Sequence, residues 1–199
     1  MWASVESNNV TKVYARPKAL TIGDVNYPSN IFTMWSASEL EAIGIYEIVI
    51  DNSNLKNKEY YTNTNQSFAF ADGTVTASYG TATARSLTDT LFTAQDETDG
   101  FGTEGELSSR GLKYKHKEII NQQAGSILQP TDWMVVRAAE GGTAVPSSIT
   151  TKRAAVRTKA NAMCTAIDNA SDVDALAALY VYNDDTPPVR PLGELPLVD

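Results

Sequence analysis

The residues that could do chemistry in this chain are few and scattered. His116 is the single histidine and Cys164 the single cysteine. His116 lies among Arg110, Lys113, Lys115 and Lys117, cations that disfavour a second positive charge on the ring. One histidine with no second ligand makes a poor zinc site, since zinc takes three or four protein ligands. The expectation here is a solvated basic helix face, free to touch an acidic partner. No G-x-S-x-G elbow accompanies it to suggest a nucleophilic serine. Cys164, beside Met163 on a helical stretch, reads as a small apolar residue.

Two letter matches fail on their surroundings. Gly100-Phe-Gly102-Thr-Glu-Gly105 has the spacing of a dinucleotide cradle. That cradle needs a buried strand before it and a helix N-terminus facing phosphate. Here Gln95-Asp-Glu-Thr-Asp99 precedes it, and Glu104 and Glu106 repel phosphate. Asp96, Asp99 and Glu104 also miss the ligand spacing of a calcium loop. A hydrolase built on paired carboxylates from this segment is the weakest reading, because glycosidase carboxylates must be held at a fixed separation. No catalytic, metal-ligating or cofactor-binding residue is therefore expected.

The composition narrows the partners. The chain has 199 residues, 42% of them hydrophobic, and a formal net charge of −8. That is enough apolar material for a core, and the wrong sign for sequence-independent nucleic-acid binding. No apolar run is long enough to span a bilayer, and Glu47 interrupts the best one, Ile43 to Ile50. The opening residues show no basic region followed by an apolar core, so no export signal is expected.

The elements that position these residues divide the chain. Residues 1–85 read as a small β-rich domain, mostly antiparallel, with one helix. Val10 to Ala15 alternates, and Gly23-Asp24 turns between two short runs. Ser36 and Glu39 form a capping-box pattern for a helix that Gly44 stops. Ile45 to Ile50 follows as a strand. Gln66–Ala71 and Thr74–Tyr79 flank Asp72-Gly73 as a hairpin, with Phe68 and Phe70 on one face. Residues 86–109, acidic, Gly-containing and without Lys or Arg, read as a solvated linker.

Residues 110–182 read as a helical domain. Ser108 or Ser109 is the expected cap of a first helix, which Pro130 ends. Thr131 is the expected N-cap of a short helix, Asp132 to Ala139, released by Gly141-Gly142. Pro146 opens a long helix whose stripe is Ile149, Val156, Ala160, Met163 and Ile167. Lys152, Arg153, Arg157 and Lys159 fall mostly outside it. Ser171 to Asp174 starts one more helix. Residues 183–199 form a Pro-rich extended tail, expected to dock on a neighbouring chain or back across the helices through Leu192, Leu195, Leu197 and Val198. The fold class is α+β.

Asp132, Trp133 and Arg137 share one short turn. Two readings apply to them. Trp133 plugs the gap between two helices, with Arg137 pairing to Asp132 or to a carboxyl end; this is the favoured one. Alternatively the three form a contact surface, since Trp and Arg are enriched in binding hot spots. With Trp35, Leu192, Leu195 and Leu197 they are the candidate interaction residues.

Two blocks resemble a known group. Asn26 to Ile48, NYPSNIFTMWSASELEAIGIYEI, and the run from Ala124 through TDWMVVR to Arg157 resemble tail-fibre assembly chaperones and related small tail proteins of tailed bacteriophages. Together they cover a quarter to a third of the chain by eye. The resemblance implies a non-enzymatic interaction role: a subunit of the virion tail or fibre, or an assembly factor for the fibre. It implies other tail or fibre proteins as partners, an oligomeric assembly, no nucleic acid, no membrane insertion, and a location in the virion tail or in host cytoplasm during assembly. Chaperone-type members often close with Trp-Pro, whereas the last tryptophan here is Trp133. That departure leaves room for a permanent virion subunit. The alternative function is a receptor- or glycan-binding module of a tail fibre, with Tyr60, Tyr61, Phe68, Phe70 and Tyr79 as stacking aromatics.

Overall fold

The structure, a computed structural model, describes residues 1–198. The chain divides into two compact units, Met1–Thr83 and Ala84–Asp199. The first is β-rich and the second helical, an α+β organisation.

Unit one is built on a five-stranded sheet. β1 (Trp2–Glu6) and β2 (Asn9–Tyr14) form an antiparallel hairpin with a bulge between Ser4 and Val5. Ser7 and Asn8 both take positive φ in its turn, the pattern that matches the twist of hairpin strands. β3 (Leu20–Ile22) and β4 (Val25–Tyr27) form a second, separate hairpin. Two short helices follow, α1 (Ile31–Met34) and α2 (Ala37–Ala42). The expected capping box is present: Ser36 Oγ accepts from Glu39 N–H, and the Glu39 carboxylate accepts from Ser36 N–H.

α2 ends at a close approach. Gly44 has φ +78°, and a Cβ there would lie 3.0 Å from the Val5 carbonyl oxygen. Its own carbonyl accepts from Val5 N–H at 2.8 Å. Only glycine allows both the left-handed backbone and that contact. The chain then enters β5 (Ile45–Asp51), followed by β6 (Tyr61–Thr62), β7 (Gln66–Ala71) and β8 (Thr74–Tyr79). The β7–β8 turn uses Asp72 and Gly73, both at positive φ. The sheet order is β2-β1-β5-β8-β7. One pairing departs from the antiparallel expectation: β5 and β8 run parallel, Ile48 opposite Val75 and Ile50 opposite Ala77.

The sheet is apolar on both faces. On one, Tyr14, Leu20, Ile31, Phe32, Leu40 and Ile45 form a core beneath the helices and the second hairpin, joined by Trp2 and Trp35. On the other, Ala3, Ile48, Val75 and Ala77 pack with Val10, Val13, Phe68 and Phe70. That second cluster joins residues from both edge strands, β2 and β7, which lie close together, so the sheet curls around it.

Unit two begins where a linker was expected. β9 (Thr83–Ala84) lies across the division. β10 (Thr90–Leu91) pairs antiparallel with β11 (Leu107–Ser109). Between them stands α3 (Ala94–Thr98), closed by a capping box of Thr93 and Asp96. Residues 86–109 therefore have secondary structure of their own, an excursion of the helical unit closed by the β10–β11 pairing, with none of its residues buried. The acidic residues that suggested a linker are spent locally: Asp96 on the Thr93 cap, Glu97 on the Glu104 N–H, Asp89 on Arg110 and Gly111.

The helices follow: α4 (Leu112–Leu128), a 3-10 turn (Gln129–Thr131), α5 (Asp132–Ala139), α6 (Ser147–Asp168) and α7 (Val173–Ala178). α4 and α6 pack together, burying Leu112, Ile120 and Ala124 against Val156, Ala160, Met163 and Ile167. α4 is not capped by Ser108 or Ser109. Asp89 accepts from Gly111 N–H, while the Ser86 and Leu87 carbonyls accept from Leu112 and Lys113 N–H. The first N–H groups of the helix are thus satisfied by chain more than twenty residues earlier. Asp172 caps α7 through the Ala175 N–H.

The Pro-rich segment turns back onto the same unit. Leu192 N–H donates to the Leu179 carbonyl, and the Leu192 side chain is 2% exposed. Arg190 pairs with Glu194 and lies over the rings of Tyr180 and Tyr182.

Candidate functional site

The block that carries the TDW residues is organised by a side chain that sequence reasoning placed on the surface. Arg153 of α6 is 9% exposed. Its Nη1 donates to the Leu128 carbonyl, which ends α4, at 2.7 Å, and to Thr131 Oγ1 at 2.5 Å. Its Nη2 donates to Asp132 Oδ1 at 2.7 Å. Thr131 Oγ1 in turn donates to the Leu128 carbonyl at 2.9 Å. Thr131 is therefore not the side-chain N-cap expected for α5; its hydroxyl is taken by the 3-10 turn and by Arg153. One guanidinium ties the end of α4, the turn and the start of α5 to α6. A planar fork of donors suits three acceptors held in different directions.

The signal for Arg153 was in the sequence. Positions 153, 156, 160, 163 and 167 follow helical spacing, so Arg153 lies on the stripe of Val156, Ala160, Met163 and Ile167. The same holds for His116, which sits on the line of Leu112, Ile120 and Ala124 and is 4% exposed rather than solvated. Its Nδ1 is 2.8 Å from the Tyr180 hydroxyl, and the two rings pack at 4.9 Å.

α5 itself buries no residue. Trp133 is 54% exposed, so it does not plug a gap between helices. Arg137 does not pair with Asp132, whose partner is Arg153; its guanidinium lies over the Trp133 ring, 4.8 Å from the centroid. Such a contact is worth about 0.5–1 kcal/mol at an exposed site. Val135 and Val136 are exposed as well. At helical spacing Trp133, Val136, Arg137 and Glu140 share one side of α5. Val135 turns instead toward α6, where it lines a notch of about 280 Å³ with Val145, Thr150, Arg153 and Arg157.

The loop after α5 fixes Arg137. Gly141 takes φ +84°, and Gly142 N–H donates to the Arg137 carbonyl at 2.9 Å. A Cβ at Gly142 would come within 2.8 Å of Arg137 Cγ. The side chain is therefore held between the glycine loop and the indole, and Arg137 Nε is buried without a hydrogen-bond partner among the described residues.

The remaining candidates fall elsewhere. Trp35 belongs to unit one, half-buried and edge-on to Tyr27 at 5.7 Å. Leu192 is core. Leu195 lines an open pocket of about 640 Å³ with residues that include Ile119, Ile127, Met163 and Glu194. Leu197 is 65% exposed. Of the aromatics considered for sugar stacking, Tyr60 is buried and Phe68 and Phe70 pack in the curled face of the sheet.

The titratable groups with resolved shifts do structural work. Asp89 is held below the usual carboxylate range by the Gly111 N–H and then by Arg110. Burial pushes the Cys164 thiol up. Among the described residues no group of three or more His, Cys, Asp or Glu is placed to hold a metal ion, and no helix is long and apolar enough to cross a membrane. Comparison with known proteins finds no matching family model, no matching curated protein and no matching solved structure.

Proposed function

We propose that this chain is a non-enzymatic tail protein of a tailed bacteriophage, a subunit of the tail or fibre or an assembly factor for the fibre, acting through protein–protein contacts. The observation that carries this reading is α5. It is a helix with no buried residue, offering Trp133, Val135 and Val136 to solvent, on a mount braced by the buried Arg153. Water-exposed apolar side chains held on rigid backbone favour contact-making, because little ordering remains to be done on association. This helix lies within the second of the two blocks that resemble small tail proteins, and Thr131, Asp132 and Arg153 of that block form its brace.

The test is mass spectrometry of purified particles of the phage encoding the chain, beside a pull-down of unassembled fibre. Stoichiometric presence in particles supports a structural subunit. Absence from particles with recovery on unassembled fibre supports an assembly factor. Absence from both refutes the proposal.

A further inference from the structure

We propose that α5 and its notch against α6 receive an acidic, amphipathic segment of a partner protein, its apolar side chains on Trp133, Val135 and Val136 and its carboxylates on Arg137 and Arg157. The proposal rests on the contact-making role above and adds the chemistry of what is contacted.

Charge is the first argument. In a chain of net charge −8, this surface carries three arginines, Arg137, Arg153 and Arg157, against two carboxylates, Asp132 and Glu140. Arg153 and Asp132 neutralise each other at 2.7 Å. Arg137 and Arg157 have no carboxylate partner among the described residues, although Glu140 follows Arg137 by one helical turn. An arginine packed between an indole and a glycine loop has lost part of its hydration and gains from an incoming anion.

Shape is the second. Val135 and Val145 give the notch an apolar wall, and Arg157 stands at it. Round α5 from Val135 come Val136, then Trp133 and Arg137, so exposed apolar side chains lead from the notch to the second arginine. Apolar positions flanked by fixed cations match a helix that is apolar on one face and acidic on the other. Nucleic-acid phosphate would satisfy the arginines but would leave three large apolar side chains in water, so the acidic protein segment is the better occupant.

The experiment uses the full chain and three labelled 18-residue helix-forming peptides, read by fluorescence anisotropy. One peptide has a leucine face and a glutamate face; the second replaces Glu by Lys; the third replaces Leu by Ser. The Glu/Leu peptide should bind at least about tenfold tighter than either control, and Trp133→Ala should weaken it by about tenfold or more. The double charge reversal R137E/R157E should lose that peptide and gain the Lys/Leu one. Circular dichroism of each variant establishes that the helices persist; Trp133→Phe, which retains the ring face, should keep most of the binding if Trp133→Ala perturbs folding. The proposal is overturned if the Glu/Leu peptide fails to bind, if Lys/Leu binds equally well, or if binding ignores Trp133. It is also overturned if an oligothymidine outcompetes the peptide, or if Trp133 instead governs self-association in ultracentrifugation. Recovery of the protein in particles with no peptide binding would sink this proposal alone and leave the tail role standing.

Discussion

Removing Arg153 should damage the helical unit far more than removing the carboxylate it pairs with. Arg153→Ala deletes charge-assisted bonds to the Leu128 carbonyl and to Thr131 Oγ1. Those acceptors keep a bond to each other at 2.9 Å, so each loss costs about 1 kcal/mol rather than a full unsatisfied-group penalty. The ion pair with Asp132 adds only about 0.5 kcal/mol, because the Asp132 side chain is 56% exposed and water takes it back. The buried aliphatic stem adds about 1 kcal/mol. The sum is about 3–4 kcal/mol, which in a unit of this size lowers the melting midpoint by roughly 15 °C. Asp132→Asn keeps a neutral acceptor and should cost less than about 1 kcal/mol. Urea denaturation followed at 222 nm, where α4 to α7 supply most of the signal, measures both. If Arg153→Ala costs under about 1 kcal/mol, or Asp132→Asn costs as much as Arg153→Ala, the brace is an exposed ion pair and the reasoning fails.

Leu192→Ala should destabilise the helical unit by about 2–4 kcal/mol in the same assay, since the side chain is 2% exposed; a cost near that of an exposed residue would mean the C-terminal segment adds nothing to the core. Gly142→Ala should push Arg137 off the indole, seen as a changed Trp133 environment in two-dimensional NMR, with Gly125→Ala, which meets nothing within 4 Å, as the quiet control. Asp89 has a depressed carboxyl pKa when folded, so it contributes stability above its unfolded value near 3.8 and loses it as pH falls through the folded value. Asp89→Asn should therefore lower the unfolding midpoint at pH 7, with the gap to wild type closing in acid; a gap independent of pH would remove the charge from the explanation.

Local chemistry was legible where it settles local structure. The Ser36–Glu39 box, the Asp72-Gly73 hairpin and the start of α6 need only neighbours in sequence, and they stand where the residues put them; α5 begins at Asp132 as expected, but without the Thr131 cap. The β1–β2 hairpin was missed although Ser7-Asn8 has turn chemistry, because Trp2 to Glu6 is too short and mixed to read as a strand without its partners. The parallel β5–β8 pairing depends on which strands meet, and periodicity does not encode that. The acidic stretch misled for a different reason. Composition reports solvation of side chains, while Asp89, Asp96 and Glu97 are solvated and at the same time accept backbone N–H bonds that fold the segment. For the candidate site, the residue types were found and their pairing was not. Whether Asp132 takes Arg137 or Arg153 is decided by the crossing of α5 and α6, which no local spacing contains.

The excursion from Ser86 to Gly111 has a consequence for how the chain can be cut and rejoined. Its base is held by the β10–β11 ladder and by the Ser86, Leu87 and Asp89 acceptors on the start of α4. At Gly100 an added Cβ would meet no heavy atom, whereas at Gly102 it would strike the Phe92 ring. New termini, or an inserted domain, placed beside Gly100 should therefore be tolerated, because the halves remain joined through the base. The same insertion at Thr88 would break the acceptors that start α4 and take the helix with it. This gives the chain a built-in port, at which a reporter can be attached without touching α5.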